Sequence, residues 1–446
     1  MTERLSARRT IALVTDTFAE LPSPTRAFPP DGPLSWQGYD DSRARAAART
    51  GEEESVVCGT ATIGDTPAVL IAFEFGFLGG SLGERTGDRL QAAYTHAREH
   101  RLPVVSLVAT GGSRMQEGML ALTQLQRVAR ESALTREAGL AQIAVLRDPT
   151  TGGGWATLGA GADVTLALPG VQVGFAGSRV RPPDADPAAY TAEAQLAAGA
   201  VDAVVRPREL RGTLALWLGL LTQPSAEAAR VPPALGALDL PATGWDAVRR
   251  ARAAERPRAD AYLDAYFTHR AAISGDRCGG TDDGMLCGFG LARDGRPLAY
   301  AAQRGTATRP AGYRTAARLI RLAGRLGIPV LTLVDTPGAA NDADAERQSA
   351  GAAIADLFAA VATARTPVTT LVIGEGGSGG ALALAAPGNT WATPDSYFSV
   401  IAPELAAAIL KRTPGEVEAT ADQLRIRPQD LLDLGVIRGI TEIPGT

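Results

Sequence analysis

Short apolar runs recur along the chain, and most of them end at a turn rich in glycine. They form two sets of three, namely Val104–Val108, Gln142–Leu146 and Val164–Leu168, then Val330–Val334, Val368–Ile373 and Thr390–Thr393. Runs that stay apolar at successive positions are typical of strands buried on both faces of a sheet. After the second run of each set, small residues predict a helix, at Trp155–Ala160 and at Ala381–Ala385. The pattern predicts an α/β fold with mainly parallel strands.

The two sets are copies of one plan. The segment Leu102–Gly112 aligns with Ile328–Gly338 at an offset of 226 positions. The same offset relates further pairs, namely Gly79 with Gly305, Gly153 with Gly379, Gly154 with Gly380, and Ala176 with Ala402. An ungapped match of this kind is the signature of an internal repeat. We therefore expect two homologous domains, at 1–222 and 244–446, joined by a linker at 223–243 that is rich in proline and alanine.

Composition removes several classes of function. The net charge of −4 gives no global basic field for nucleic acid. The three cysteines, Cys58, Cys278 and Cys287, are far apart, which excludes a disulfide framework and a four-cysteine zinc site. No apolar run is long enough to span a bilayer, and the N-terminus has no apolar signal segment. We expect a cytoplasmic protein with reduced thiols, without membrane or nucleic-acid partners and without a metal.

Lysine is nearly absent, and this excludes further classes of reaction that depend on a lysine side chain. Lys411 is the single lysine among 44 basic residues. A phosphate-binding Walker loop needs a lysine after its last glycine, and none stands there. The neighbours of Lys411 do not resemble those of a biotin- or lipoyl-carrying lysine. We therefore expect neither ATP hydrolysis nor a covalently attached prosthetic group on this chain.

Glycine pairs stand where strands end and helices begin in both halves, at Gly111-Gly112 and Gly152–Gly154, then at Gly376-Gly377 and Gly379-Gly380. Such turns expose backbone N–H groups at the positive end of a helix, which suits an anion. A phosphate and a developing enolate oxygen both fit this description. Alternatively, the glycines only permit close packing of helix on strand. The matching of the pairs between the halves favours a functional role.

The sequence contains no strong motif for a catalytic or metal-binding side chain. His96 and His100 have metal-ligand spacing but lack the glutamate of the HExxH motif. Ser378 has no nucleophile-elbow spacing, and Gly374, Gly376 and Gly379 resemble a dinucleotide motif only superficially. Glu117 and Glu375 are candidate general bases, although pairing within its own helix is the favoured role of Glu117. The pattern favours a reaction in which the substrate or cofactor supplies its own base, such as enolate stabilisation beside a thioester.

Several motifs resemble the carboxyltransferase of acetyl-CoA carboxylase. The segment Ala109–Gly118 resembles the SGGARMQEG motif of its β subunit, and Asp148–Gly153 and Gly174–Val180 extend the match. The second half resembles the α subunit, at Gly275–Arg277, Gly312–Arg314, Asp335–Ala339, Gly374–Leu384 and Tyr397–Glu404. The resemblance runs from about Gly38 to Ile443 with the motifs in family order. It implies a fused β–α carboxyltransferase with two tandem crotonase-like (ClpP/crotonase) domains.

This resemblance also implies a reaction. Carboxybiotin on a separate carrier protein would lose CO₂, its ureido nitrogen would take the α-proton of an acyl-CoA, and the enolate would attack CO₂. Acetyl-CoA would give malonyl-CoA, for fatty acid biosynthesis. By motif, one oxyanion hole maps to the amides of Gly111, Gly112 and Ser113 for the acyl-CoA. The other maps to Gly379, Gly380 and Ala381 for biotin. Substrate contacts are expected from Arg114, Gly152, Gly153, Gly338, Gly376 and Gly377.

The implied partners are a biotin carboxyl carrier protein, a biotin carboxylase and further copies of this chain, in a homodimer or larger homo-oligomer. Three features depart from the family. The zinc ribbon of the β subunit is absent, so no zinc is expected. The GHQKGRDT-type loop is reduced to Gln303–Thr306, and PGAYPG becomes Pro337–Asp342, which alters Ala340–Asp344. These changes bear on the substrate rather than on the class of reaction.

Two other functions remain open from the sequence. The protein could decarboxylate or transcarboxylate malonyl-type thioesters without biotin. It could also be a non-catalytic subunit that binds CoA esters, an alternative suggested by the altered Ala340–Asp344 segment.

Overall fold

A computed structural model of the protein describes residues 4–442. The chain divides into two compact units. One comprises the chain up to Thr222 together with Arg277–Gly279, and the other comprises Gln223–Asp276 and the chain from Gly280 onward. Within the described residues, no helix combines the length and the apolar character needed to cross a bilayer.

The first unit contains one eight-stranded sheet with helices around it. Its strands are β1 (Thr17–Glu20), β2 (Val56–Ile63), β3 (Thr66–Phe73), β4 (Val104–Thr110), β5 (Gln142–Thr151), β6 (Val164–Ala167), β7 (Val173–Gly174) and β8 (Ala203–Val204). Its helices are α1 (Ala7–Val14), α2 (Tyr39–Thr50), α3 (Glu84–Glu99), α4 (Gly118–Glu137), α5 (Gly152–Gly154), α6 (Ala192–Ala197) and α7 (Leu210–Leu221).

The second unit contains the second eight-stranded sheet. Its strands are β9 (Phe267–Ile273), β10 (Met285–Ala292), β11 (Pro297–Gln303), β12 (Val330–Thr336), β13 (Val368–Gly377), β14 (Thr390–Ala392), β15 (Tyr397–Ser399) and β16 (Gly439–Ile440). Its helices are α8 (Gly244–Arg252), α9 (Ala259–Tyr266), α10 (Pro310–Leu326), α11 (Ala343–Arg347), α12 (Ala350–Ala362), α13 (Ser378–Leu382), α14 (Pro403–Ile409), α15 (Val417–Gln423) and α16 (Pro428–Asp433).

The two sheets follow the same plan. In the first, the order is β1-β2-β3-β4-β5-β6-β8 with β7 also on β5, and in the second it is β9-β10-β11-β12-β13-β14-β16 with β15 also on β13. The first three strands of each sheet pair antiparallel at one edge, whereas all later pairings, including that of the opposite edge strand, are parallel. The six predicted strands are all present, and the prediction of mainly parallel α/β domains is confirmed.

The repeat seen in the sequence is also a repeat of register. Val104 pairs with Gln142 in the first sheet, and Val330 pairs with Val368 in the second, which is the same offset of 226 on both strands. Every residue of β4 and of β12 is buried, because helices cover both faces of these central strands. The carboxyl ends of equivalent strands therefore present equivalent backbone turns.

The helices after these strands differ from the sequence prediction. In the first unit, the turn Gly152–Gly154 begins at once after β5 and continues as a π-helical turn over Trp155–Gly159. In the second unit, α13 begins at Ser378, three residues before the predicted start. Both helices begin within the glycine run because glycine tolerates the sharp change of direction from strand to helix.

The stretch 223–243 carries no helix or strand. It belongs to the second compact unit, where Ala229 and Ala234 are buried. Thr369 Oγ1 donates to the carbonyl of Ala229 at 2.9 Å, and the N–H of Leu235 donates to Tyr262 Oη at 3.1 Å. These contacts pack the stretch against the second core.

Candidate active site: two backbone cradles

The carboxyl end of β4 is shaped by Gly112, which has φ of +109°. Its N–H donates to Thr110 Oγ1 at 3.0 Å, and its carbonyl accepts from Leu82 at 2.9 Å. The N–H of Gly111 donates to Gly79 at 2.9 Å. The next amide, that of Ser113, meets no acceptor in the described part of the chain. The turn therefore presents the Ser113 N–H as its open donor.

The end of β5 lies beside this turn. Gly152, with φ of +64°, donates its N–H to Phe175 at 3.0 Å. A Cβ on Gly152 would lie 3.2 Å from the Cα of Gly112, so the two strand ends approach at backbone distance. The amides of Gly153 and Gly154 follow in the first turn of α5, where no intrahelical acceptor exists. Together with Ser113, these amides form the first cradle.

The second half repeats the arrangement. Gly338, with φ of +141°, donates its N–H to Thr336 Oγ1 at 3.1 Å, and its carbonyl accepts from Thr308 at 3.1 Å. Leu82 and Thr308 form equivalent parallel bridges, to Ser113 and to Ala339. Within residues 4–442 the Ala339 N–H has no acceptor. Ala339, with Gly379 and Gly380 from the first turn of α13, forms the second cradle.

Close packing leaves no room for side chains in the second cradle. A Cβ on Gly380 would lie 2.4 Å from the nitrogen of Ala339 and 2.6 Å from Tyr313 Oη. A Cβ on Gly377 would lie 2.1 Å from the carbonyl carbon and oxygen of Pro337. Separations below about 3 Å are not compatible with a methyl group. Glycine is therefore required where the two strand ends meet.

Two predicted donors need correction. The amides of Gly111 and Gly112 are engaged inside the protein, so the expectation that they are open donors is wrong. The position equivalent to Gly111 in the second half is Pro337, which has no N–H to offer. Of the three donors predicted at the end of β4, Ser113 alone stays open among the described residues, and its equivalent at the end of β12, Ala339, is an open donor that was not predicted. Of the remaining predicted residues, Ala381 follows Gly380 in α13, and Gly376 pairs with Phe398 inside the sheet.

Arg114 does not lie at the surface, so the prediction that it binds substrate is wrong. Its side chain is fully buried and forms an ion pair with Glu54. Its Nη1 also donates to Tyr39 Oη at 3.2 Å, and its Nε donates to Ser81 Oγ at 3.1 Å. Burial alone would raise the pKa of Glu54, but the charge and hydrogen bonds of Arg114 bring it below its usual value. Arg114 thus holds the turn after Ser113 from behind.

Neither candidate glutamate is an open base. Glu117 is fully buried and accepts hydrogen bonds from Tyr39 Oη and the Glu84 N–H, both at 2.6 Å. Its partners therefore lie on α2, at the start of α3 and at Arg114, 3.4 Å away, and not within its own helix as expected. Glu375 lies at the end of β13, where its Oε2 accepts from Arg252 Nε and from Tyr397 Oη, both at 2.8 Å.

The other marked side chains lie elsewhere. The rings of His96 and His100 stack near the end of α3 with centroids 3.9 Å apart, and His100 Nδ1 lies 3.0 Å from the carbonyl of His96. His269 is on β9 and contacts the adjacent Thr268. Ser378 is exposed with φ of +58° at the start of α13. Among the described residues, no group of three histidine, cysteine or carboxylate side chains could hold a metal ion.

Sequence reasoning missed half of each cradle. It assigned residues 111–113 in one half and 379–381 in the other, although these segments are not equivalent under the offset of 226. Applying that offset to Ser113 gives Ala339, and applying it to Gly380 gives Gly154. The repeat therefore held the signal that would have completed both sets.

Comparison with known proteins agrees with this two-part architecture. The carboxyl transferase domain family matches residues 32–204, and the acetyl co-enzyme A carboxylase carboxyltransferase-like family matches residues 240–446. Among solved structures, transcarboxylase 12S, crystallised as a hexamer with methylmalonyl-coenzyme A and methylmalonic acid bound, has a TM-score of 0.80 at 20% identity. That match covers 98% of this chain and 87% of the other, and it confirms the expected crotonase-like fold.

Curated relatives are more similar in sequence. The acetyl-coenzyme A carboxylase carboxyl transferase subunits beta/alpha of Saccharopolyspora erythraea are 39% identical, over 92% of this chain and 77% of that protein. A probable biotin-dependent acyl-coenzyme A carboxylase beta3 subunit of Mycobacterium bovis is 34% identical, over 90% of this chain and 82% of that protein. The chain belongs to the family of biotin-dependent acyl-CoA carboxylase carboxyltransferases, in the form that joins the β and α subunits in one polypeptide.

Proposed function

We propose that this protein moves the carboxyl group of carboxybiotin to the α-carbon of an acyl-CoA, with acetyl-CoA as the principal acceptor and malonyl-CoA as the product. The observation that carries the proposal is the matched pair of cradles, Ser113 with Gly153 and Gly154, and Ala339 with Gly379 and Gly380. Each reaction partner passes through a state with negative charge on one oxygen, so a carboxyl transfer between two such partners needs two sets of donors.

The cradles fit small oxyanions. Their donors are backbone N–H groups at the start of a helix, where the partial positive charge of the helix adds to the hydrogen bonds. Because the donors are fixed by the fold, they need no reorganisation when charge develops, and each one contributes ~3 kcal/mol to transition-state stabilisation in comparable sites. The glycine at 380 keeps the space beside the Ala339 nitrogen clear of side-chain atoms. We assign the first cradle to the acyl thioester and the second to the ureido carbonyl of biotin.

The chain's own residues hold charge rather than protons. Glu117 is sealed inside the first unit, and Glu375 is paired with Arg252 and Tyr397. Bound carboxybiotin would supply both the CO₂ and the nitrogen base that accepts the α-proton. The protein's part is to orient the two partners, exclude water and stabilise the oxygen charges.

The proposal includes partners. Lys411, the single lysine, is exposed and follows α14 in a stretch without resemblance to a biotin attachment site, so the biotin carrier and the biotin carboxylase of the proposed reaction lie outside this sequence. Large apolar side chains are exposed in both units, among them Met115 and Phe175 just after strands of the first, and Val400 after β15 and Ile409 at the end of α14 in the second. Exposed apolar patches of this kind mark interaction surfaces. They support a homodimer or larger homo-oligomer.

The experiment is a reconstitution with a biotinyl carrier, its carboxylase, ATP and bicarbonate. Acetyl-, propionyl- and longer acyl-CoA are offered separately, and carboxylated thioesters are measured by mass spectrometry. We expect malonyl-CoA to form fastest and only when the carrier is present. Absence of a carboxylated product from every acyl donor would refute the carboxyl transfer. Loss of malonyl-CoA without carrier or ATP would support biotin-independent decarboxylation instead.

A further inference from the structure

Two buried side chains hold one carbonyl of the second cradle. Tyr313 Oη donates to the carbonyl oxygen of Gly380 at 3.1 Å, and Gln303 Nε2 donates to the same oxygen at 3.3 Å. Both side chains are inaccessible to solvent. Tyr313 comes from the first turn of α10, and Gln303 ends β11, so two separate elements converge on a single backbone atom.

These donors also connect the two walls of the cradle. Gln303 Nε2 donates to Thr308 Oγ1 at 3.1 Å, and Thr308 Oγ1 lies 3.5 Å from Thr336 Oγ1. The Thr336 hydroxyl contacts Gly338 twice, at 2.7 Å to its carbonyl oxygen and at 3.1 Å to its nitrogen. The network thus runs from the α13 side of the cradle to the β12 side behind the open amides.

The first cradle lacks this support. The helices α3 and α10 begin 226 positions apart, at Glu84 and Pro310, so the residue equivalent to Tyr313 is Gly87. The strands β3 and β11 are related by an offset of 230, since Val69 pairs with Val104 and Ala299 pairs with Val330, so the residue equivalent to Gln303 is Phe73. Neither glycine nor phenylalanine has a side-chain donor. The support is therefore a property of the second half and not of the shared fold.

The position of Gln303 lowers the stability of the folded protein in a way that packing does not explain. Gln303 Oε1 is buried and has no hydrogen-bond partner among the described residues. An unsatisfied buried acceptor destabilises a folded protein. Burial raises the pKa of Tyr313, which keeps its hydroxyl protonated and therefore a donor at neutral pH. Because Oε1 has no partner, the presence of glutamine at this position indicates that its other side-chain atom, the donor Nε2, has a role.

We propose that Gln303 and Tyr313 are positioning residues of the second cradle, which fix the Gly380 carbonyl and the peptide plane that it shares with the Ala381 N–H, and so restrain the first turn of α13, which presents the amides of Gly379 and Gly380 beside Ala339. Pinning the carbonyl removes the freedom that glycine otherwise has to rotate its peptide planes. Preorganised donors stabilise developing charge better than mobile ones. The inference rests on the assignment of the second cradle to biotin.

The first test is amide hydrogen exchange measured by mass spectrometry on the unliganded full chain. In Tyr313→Phe, peptides that span Gly379–Leu384 should exchange about tenfold faster, because the loss of a net stabilising hydrogen bond of this kind changes local opening by about that factor. Peptides across Gly152–Gly159 should exchange as in the wild type. Tyr300→Phe is the matched control, since Tyr300 is a buried tyrosine of β11 whose hydroxyl contacts Arg270. Unchanged exchange at α13 in Tyr313→Phe would overturn the inference whatever the activity.

The second test is kinetic. In the malonyl-CoA to free biotin direction, Tyr313→Phe and Gln303→Leu should lower kcat by on the order of tenfold to a hundredfold, as misplaced active-site groups do. The KM for malonyl-CoA should stay within about twofold of the wild type, since a donor that acts only in the transition state leaves ground-state binding unchanged. If both variants keep wild-type kcat and KM for biotin, the positioning role is wrong. If the wild type itself has no such activity, the proposed function is wrong and hydrogen exchange still decides whether the two side chains hold α13.

Gln303→Glu provides a readout that a merely structural residue would not give. A carboxyl group at this position donates to Gly380 only while protonated, and burial raises its pKa toward neutrality. The kcat of Gln303→Glu relative to wild type should therefore rise as the pH falls from about 8 to about 6. A ratio that stays constant with pH would contradict the role of Gln303 as a donor.

Discussion

Thr110 and Thr336 stand 226 residues apart and perform the same task. Each ends the central strand of its sheet, and each accepts, through Oγ1, the N–H of the glycine two positions later, at 3.0 Å to Gly112 and 3.1 Å to Gly338. The hydroxyl closes a small turn that directs the following amide outward. The two halves of the chain thus share the device that shapes each cradle.

Replacing these threonines should separate the two half-reactions. Thr110→Val keeps the shape but leaves the Gly112 N–H without its acceptor, so the turn relaxes beside the first cradle. We expect kcat for enolisation of the acyl-CoA to fall by about tenfold to a hundredfold, measured as exchange of the α-protons into deuterated water in the presence of biotin and bicarbonate. Thr336→Val should instead slow the malonyl-CoA-dependent carboxylation of free biotin.

The control for both is Thr363→Val, at an exposed position of the second unit. It should leave both rates within about twofold of wild type, as for most surface substitutions. Equal effects of Thr110→Val and Thr336→Val on both rates would contradict a division of labour between the cradles.

Gly380→Ala should abolish most of the activity. The new methyl would lie 2.4 Å from the Ala339 nitrogen, which forces the two walls of the second cradle apart. We expect kcat to fall on the order of a hundredfold or more, comparable with the loss of an oxyanion donor. Gly351→Ala is the matched control, because Gly351 lies in α12 with open space at its Cβ position. Turnover of Gly380→Ala near the wild-type value would show that the cradle is not where charge develops.

Glu54→Gln should destabilise the first unit. Arg114 would keep its charge in a fully buried position and lose its closer carboxylate partner, with only Glu117 Oε1 left at 3.4 Å. Breaking a buried ion pair in this way costs about 3–5 kcal/mol, to be measured by urea denaturation. The exposed pair of Arg347 with Asp344 is the comparison, since Asp344→Asn should change stability by no more than about 0.5 kcal/mol. Similar losses in the two variants would mean that burial does not determine the strength of these pairs.

Stability should fall in acid because of the same pair. The pKa of Glu54 in the folded protein lies below its value in the unfolded chain, so folding is favoured by its ionised form. This contribution is complete above the unfolded pKa of about 4.3 and is lost as the pH falls through the folded pKa. The urea midpoint should therefore drop between about pH 5 and about pH 3, and Glu54→Gln should show a smaller drop. An equal drop in the two proteins would assign the acid sensitivity to other carboxylates.

The three thiols should differ in reactivity. Burial raises the pKa of Cys58 and that of Cys287 to about 12, so neither forms thiolate at neutral pH. Cys278 is exposed. A chromogenic disulfide reagent should therefore titrate one thiol in the native protein and three in denaturant. Titration of more than one thiol under native conditions would show that a core around Cys58 or Cys287 opens readily.

Much of the fold could be predicted from the sequence. Buried parallel strands appear as continuous apolar runs, and the internal repeat shows each run and each glycine turn twice. The positions of the glycine turns at strand ends followed for the same reason. The availability of each amide could not be predicted, since it depends on whether a partner such as Gly79 or Thr110 lies in reach. Arg114 was misplaced because its closer partner Glu54 is 60 residues away in sequence, and the nearby Glu117, which also contacts Arg114, does not reveal by its spacing that both charges are buried.

In the proposed function the catalytic donors are main-chain groups, and such donors respond to mutation differently from side chains. The N–H of Ser113 or Ala339 persists in almost any residue placed there, so single-base changes rarely delete the donor itself. What they can change is the wall behind it, as the contrast between Tyr313 and Gly87 shows for two copies that began alike. Duplicated halves can therefore diverge in the side chains that support the donors while the backbone donors themselves are kept. The reaction can be preserved even when many side chains have changed.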